Sequence, residues 1–123
     1  MRRDSVRKII DANHLNGVVF TSLENICYLC GFTGSDGALV LTSNESYFLC
    51  DSRYWTQADQ EVKECQIVHY KKKLDGVASL LLDLNVKKIG FESAALTFSL
   101  HHSLLGKLTK EVELHPLEEE LKN

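Results

Sequence analysis

The stretch Glu24-Asn25-Ile26-Cys27-Tyr28-Leu29-Cys30-Gly31-Phe32-Thr33-Gly34-Ser35-Asp36-Gly37-Ala38-Leu39-Val40-Leu41 changes texture twice, from helix to loop and from loop to strand. With Leu23 just before it, the spacing of Ile26, Cys27 and Cys30 predicts a short helix. Gly31 suits a left-handed C-cap, a conformation that residues with a Cβ resist. Phe32 anchors the chain on the core. From Thr33 to Gly37 the periodicity is lost, and small polar residues with two glycines, Gly34 and Gly37, predict a sharply bent loop. Ala38 to Leu41 is then an uninterrupted apolar run.

Outward from this stretch the chain alternates helices and strands. Ala38–Leu41 and Tyr47–Cys50, joined by Thr42 to Ser46, predict a hairpin, and their lack of alternation places it at the middle of a sheet, buried on both faces. Asp51 or Ser52 caps a helix reaching about Val62, whose inward face is either Tyr54, Ala58 and Val62 or Trp55, Asp59 and Val62. Gln66–Tyr70 and Lys88–Glu92 read as strands. Between them Leu74, Val77, Ala78, Leu81 and Leu82 fill the template of an amphipathic helix. Leu100, Leu104 and Leu108 mark another helix, starting near Thr97 or Ser99. Val112 and Leu114 alternate with Glu111 and Glu113 in a half-exposed last strand that Pro116 ends. Toward the N-terminus, Val18-Val19-Phe20 is a short buried strand after an Asn16-Gly17 turn. Val6, Ile9, Ile10 and Asn13 lie on a first helix that Asp4 can cap. The expected fold is α/β: helices on both faces of a mixed, mostly parallel sheet of about five or six strands, with one hairpin.

Bulk properties narrow the function. The chain has 123 residues, enough for one domain, with 44% hydrophobic and 25% charged residues. A formal net charge of -3 leaves no basic surplus to neutralise phosphates, which argues against nucleic acid as partner. No apolar run approaches the ~20 residues that a membrane span needs, and the charged N-terminus lacks a signal-peptide core, so no membrane partner is expected. Of the four cysteines, Cys27, Cys30 and Cys50 sit in apolar stretches, which suits reduced, buried thiols in a cytoplasmic protein.

Catalytic chemistry is not evident in the residues. Among His14, His69, His101, His102 and His115 there is no i, i+4 chelating pair, and Glu118 to Glu120 read as a solvated run, so no metal site is expected in the chain. Cys27-x-x-Cys30 falls late in its helix, near the negative end, where a thiol is harder to ionise. Redox or zinc use of that pair is therefore the lesser reading. Gly31-x-x-Gly34 is no phosphate loop, because no Gly-Lys-Ser/Thr follows.

The opening stretch and a second block, Leu49-Cys50-Asp51-Ser52-Arg53-Tyr54-Trp55-Thr56-Gln57-Ala58, together resemble the N-terminal domain of the creatinase, prolidase and aminopeptidase P family. That family shows Asn, an aliphatic residue, Tyr-Leu-x-Gly-Phe-(Thr/Ser)-Gly, a hairpin, and then Asp-x-Arg-Tyr-x-x-Gln-Ala at a helix start. Asn25, Tyr28, Gly31, Phe32, Asp51, Arg53, Tyr54 and Gln57 match it. With Ile89-Gly90-Phe91-Glu92 fitting a late strand, the resemblance covers nearly the whole chain. Cys27 and Cys30 depart from it, standing where arginine, threonine or similar residues are common.

The resemblance implies a three-layer creatinase N-terminal fold with a ribonuclease H-like motif over residues 1–117. Residues 118–123 would begin a linker to a C-terminal pita-bread domain that this chain lacks. It implies a parent hydrolase, a Xaa-Pro aminopeptidase or Xaa-Pro dipeptidase (prolidase), acting on proline-containing peptides. Two divalent metal ions, manganese by analogy, would be held by two Asp, one His and two Glu of the absent domain. The N-terminal domain would be inactive alone, would shape the active-site entrance and would help form a homodimer. The loop of Thr33, Gly34, Ser35 and Asp36 would reach toward the partner's site, with Ser35 and Asp36 nearest the substrate. Asp51, Arg53 and Tyr54 also have an architectural reading, as cap, ion pair and packing. The alternatives are a free-standing interaction module of the same fold and a thiol oxidoreductase using Cys27 and Cys30.

Overall fold

The computed structural model describes residues 2–109 and 111–121. The elements are α1 (Arg3–Ala12), β1 (Gly17–Phe20), α2 (Leu23–Cys30), β2 (Ala38–Thr42), β3 (Ser46–Cys50), α3 (Trp55–Glu61), β4 (Gln66–His69), α4 (Lys73–Asp83), β5 (Lys88–Glu92), α5 (Phe98–Lys107) and β6 (Glu113–Leu117). Short 3₁₀ turns stand at Ser52–Tyr54, leading into α3, and at Glu119–Leu121. The six strands form one sheet in the order β4-β3-β2-β1-β5-β6. β1 is antiparallel to β2, and β2 to β3, whereas β3–β4, β1–β5 and β5–β6 are parallel.

Apolar runs without alternation belong at the centre of a sheet covered on both sides, and β1, β2 and β3 show this. Val18 and Phe20 pack with Val6, Ile10, Ile26, Leu29 and Ala58, under α1, α2 and α3. Val19, Val40 and Leu49 pack with Val77, Leu81 and Leu104, under α4 and α5. Successive strand residues thus feed two separate cores, which gives the expected three-layer arrangement.

Several local expectations are corrected. Asp4 lies inside the first turn of α1; the N-cap position is Arg2, and no side chain caps there. Of the two faces considered for α3, the buried one is Ala58 with Tyr54 and Val62, while Trp55 remains exposed and stacks on His69 at 4.0 Å. Pro116 does not end the last strand: β6 runs through it to Leu117, with Pro116 opposite Phe91. An edge strand tolerates proline because one side of its backbone needs no partner. Gly34 and Gly37 do not have left-handed backbones, as Gly31 does. They are small because a Cβ at Gly34 would overlap the Phe32 ring, and one at Gly37 would stand 2.9 Å from the Phe48 ring. Leu23, Leu82 and Leu100, taken as helix-face residues, are partly exposed, and Cys27 is exposed rather than buried. Of the expected linker 118–123, residues 122 and 123 lie outside the described residues, and Leu121 packs on the core.

Candidate functional site

The loop after α2 is built from its two ends. Ser22 caps α2 by accepting from the Asn25 N–H. Gly31 ends the helix at φ 89°, in the left-handed region, where a Cβ would also meet the Glu61 carbonyl at 3.0 Å. Phe32 then turns inward, 1% exposed, with its ring 4.4 Å from Phe48 and edge-on to Tyr54 at 5.7 Å.

Each polar residue that follows is tied to a different support. The Thr33 N–H and hydroxyl donate to the Glu61 carboxylate at 2.8 and 2.9 Å, and Gln57 Nε2 donates to both Thr33 and Glu61 at 3.2 Å. Those donors, the Thr33 N–H foremost, hold the Glu61 carboxyl below its ordinary range. Ser35 Oγ shares a short hydrogen bond with the Tyr54 hydroxyl. Asp36 Oδ1 accepts from Lys73 Nζ at 3.0 Å, and its other oxygen stands 3.6 Å from Arg53 Nη2. Arg53 also closes on Asp51, Nη2 to Oδ2 at 2.8 Å, while Asp51 accepts the Arg53 N–H at 3.0 Å. This hydrogen-bonded pairing depresses the Asp51 carboxyl.

The structure therefore brings together Thr33, Ser35, Asp36, Asp51, Arg53, Tyr54 and Gln57 at one end of the sheet. Asn25 belongs to a second arrangement. Its Nδ2 donates at 2.6 Å to Glu92, whose other oxygen accepts the Thr21 and Ser22 N–H groups at 2.7 and 2.9 Å. Glu92 is only 5% exposed, and it fixes the β1–α2 turn from the end of β5. Tyr28 joins neither set and is 71% exposed.

Four residues in this region escaped the sequence reading. Lys73 and Glu61 are ordinary helix-surface types whose partners lie 37 and 28 residues away. Glu92 lay in a noted strand segment, but nothing in a strand pattern marks a carboxylate as buried. Tyr70 closes the floor beside Asp51, Arg53 and Trp55. Its hydroxyl is buried without a hydrogen-bond partner among the described residues, and burial pushes its ionisation upward.

The arrangement fixes polar groups but contains no nucleophile with a base to activate it. Asp36 and Asp51 are both engaged by cations. Among the described residues no three of His, Cys, Asp and Glu come together as a metal site, and no helix is long and apolar enough to cross a membrane.

Residues 2–123 match the family model described as "Creatinase/Prolidase N-terminal domain". The chain is 29% identical over 120 residues to an uncharacterised peptidase, YqhT, of Bacillus subtilis, covering 97% of this chain and 34% of that one. The structure superposes on a Xaa-Pro dipeptidase from Bacillus anthracis with a TM-score of 0.88 at 25% identity, covering 97% of this chain and 33% of that one. It also superposes on the N-terminal domain of cytoplasmic peptidase PepQ from Mycobacterium tuberculosis with a TM-score of 0.89 at 30% identity, covering 96% and 93% respectively. The chain thus spans about a third of the two longer proteins it matches.

Proposed function

The chain belongs to the Creatinase/Prolidase N-terminal domain family, and from that premise we propose that it serves as the non-catalytic N-terminal domain of a Xaa-Pro peptidase. In this reading the parent enzyme hydrolyses the bond before proline, at peptide N-termini or in Xaa-Pro dipeptides. Residues 1–117 are the domain proper, and 118–123 lead to a C-terminal pita-bread domain. Two divalent ions, manganese by analogy, belong to that domain and supply Lewis-acid chemistry there. Among the described residues of this chain no three of His, Cys, Asp and Glu are grouped to hold such an ion.

Its own part is geometric. The observation that carries the reading is the loop of Thr33, Gly34, Ser35 and Asp36, in which the side chains of Thr33, Ser35 and Asp36 are each fixed by a different residue, Glu61, Tyr54 and Lys73 respectively. A rigid polar loop on a scaffold suits the rim of an active-site entrance, and in a homodimer it would face the partner's site.

The test is a peptidase assay of the purified chain with manganese, using a Xaa-Pro dipeptide and a longer Xaa-Pro peptide. No turnover is expected until the chain is joined to its downstream domain. Turnover by the chain alone would overturn the reading. In the joined enzyme Asp36→Asn should lower kcat/KM roughly tenfold, about 1.4 kcal/mol of transition-state stabilisation. Light scattering should show a dimer; a monomeric active enzyme would remove the partner-facing role of the loop.

A further inference from the structure

Two thiols far apart in the sequence meet below the C-terminal end of α2. Cys30 is 3% exposed, and its side chain adjoins that of Cys65, which is half-buried against the same apolar cluster. The Lys63 N–H donates to the Cys30 carbonyl at 3.1 Å, holding the two segments side by side. Arg3 spans both. Its Nε donates to the Leu29 carbonyl at 2.9 Å, its Nη1 to the Glu64 carbonyl at 2.9 Å and its Nη2 to Cys65 Sγ at 3.3 Å. The Glu64 carboxylate, 3.8 Å from Arg3, is the one acidic group among the described residues that pairs with this charge. Cys65 also lines an open cleft with Arg3, Arg7, Ser46 and Gln66, which gives a small solute access.

We propose that Cys30 and Cys65 form a peroxide-sensitive pair that closes to a disulfide. Cys65 is the sulfur attacked first. The adjoining Cys30 side chain and the Arg3 guanidinium donating to its sulfur lower its pKa, whereas the neighbouring Cys65 and burial raise that of Cys30. The Cys65 thiolate attacks one oxygen of hydrogen peroxide: an S–O bond forms, the O–O bond breaks, and the departing hydroxide takes up a proton to leave as water. The Cys65 sulfenic acid is then attacked by the Cys30 sulfur. The S–S bond forms, the S–O bond breaks, and the leaving hydroxide takes the Cys30 proton as a second water. Two thiols are oxidised and one peroxide is reduced. The resulting staple joins the end of α2 to the α3–β4 connection, on either side of the Thr33–Glu61 clamp. Cys27, one turn earlier and exposed, is not part of it.

The test is peptide mapping of the reduced 123-residue chain after hydrogen peroxide, digested without reductant. A Cys30–Cys65 cross-link within one chain is expected. It should be retained in Cys27→Ser and form roughly tenfold more slowly in Arg3→Gln, in keeping with loss of the cation beside the reacting sulfur. In Cys30→Ser, dimedone should label Cys65. A Cys27–Cys30 cross-link, a cross-link between chains, or four alkylatable thiols after peroxide would each overturn the proposal. The wild-type map decides this without any variant, and the result is independent of the peptidase reading.

Discussion

Glu92 organises the turn between β1 and α2. Three donors from two segments, the N–H groups of Thr21 and Ser22 and the Asn25 amide, converge on one buried carboxylate. Removing the acceptor strands all three in a place that water reaches poorly. Glu92→Ala should therefore cost about 3 kcal/mol in urea unfolding, and Glu92→Gln, which keeps one carbonyl oxygen, roughly 1–2 kcal/mol. A Glu92→Ala midpoint unchanged from the wild type would show that the turn is held by other contacts. Asn25 was legible as a motif position, but its partner was not, because strand patterning distinguishes faces and not the ends where a polar group is needed.

At the scale of elements, the two glycines of opposite environment make a paired test. Gly31 has a left-handed backbone with a carbonyl close by, so Gly31→Ala should destabilise by about 1–2 kcal/mol. Gly106, inside α5, has nothing within 4 Å of a notional Cβ and no positive φ, so Gly106→Ala should stabilise by up to about 1 kcal/mol. Thermal melts of the two variants should move in opposite directions. The Gly31 cap, the β2–β3 hairpin and α4 could be read from the sequence because each has a local cause. The course of β6 could not: Pro116 reads as a terminator, and only its place at the sheet edge makes it compatible with a strand. Cys65 failed for the converse reason, since its segment is polar and its partner Cys30 comes from a distant element. Thr33 to Asp36 stood out as a loop, yet Glu61 and Lys73, which fix it, look like any solvated helix residues.

For the molecule as a whole, those clamps tie stability to pH. Glu61 and Asp51 have folded-state pKa values depressed below their unfolded ones, by the Thr33 donors and by Arg53 respectively. Their stabilisation is complete above the unfolded value, about 4, and is lost as pH falls through the folded value. Chemical unfolding across this acid range should show the wild type losing stability more steeply than Glu61→Gln. Parallel slopes for the two would mean that the carboxylate contributes nothing to the clamp.

The position of β1 has a kinetic consequence. It adjoins β2 across a short span of chain, but its other neighbour, β5, arrives about 70 residues later, Val19 lying opposite Phe91. Loop closure over that distance is slow, so the β1–β2–β3 meander should assemble first and β5 should dock late. Glu92, at the tip of β5, would then make its bonds after the rate-limiting barrier. In stopped-flow chevrons Glu92→Gln should steepen nothing and leave the refolding limb in place, while the unfolding limb rises by the whole of the lost stability. The carboxylate would thus act as the latch that sets how long the folded sheet persists, not how quickly it forms.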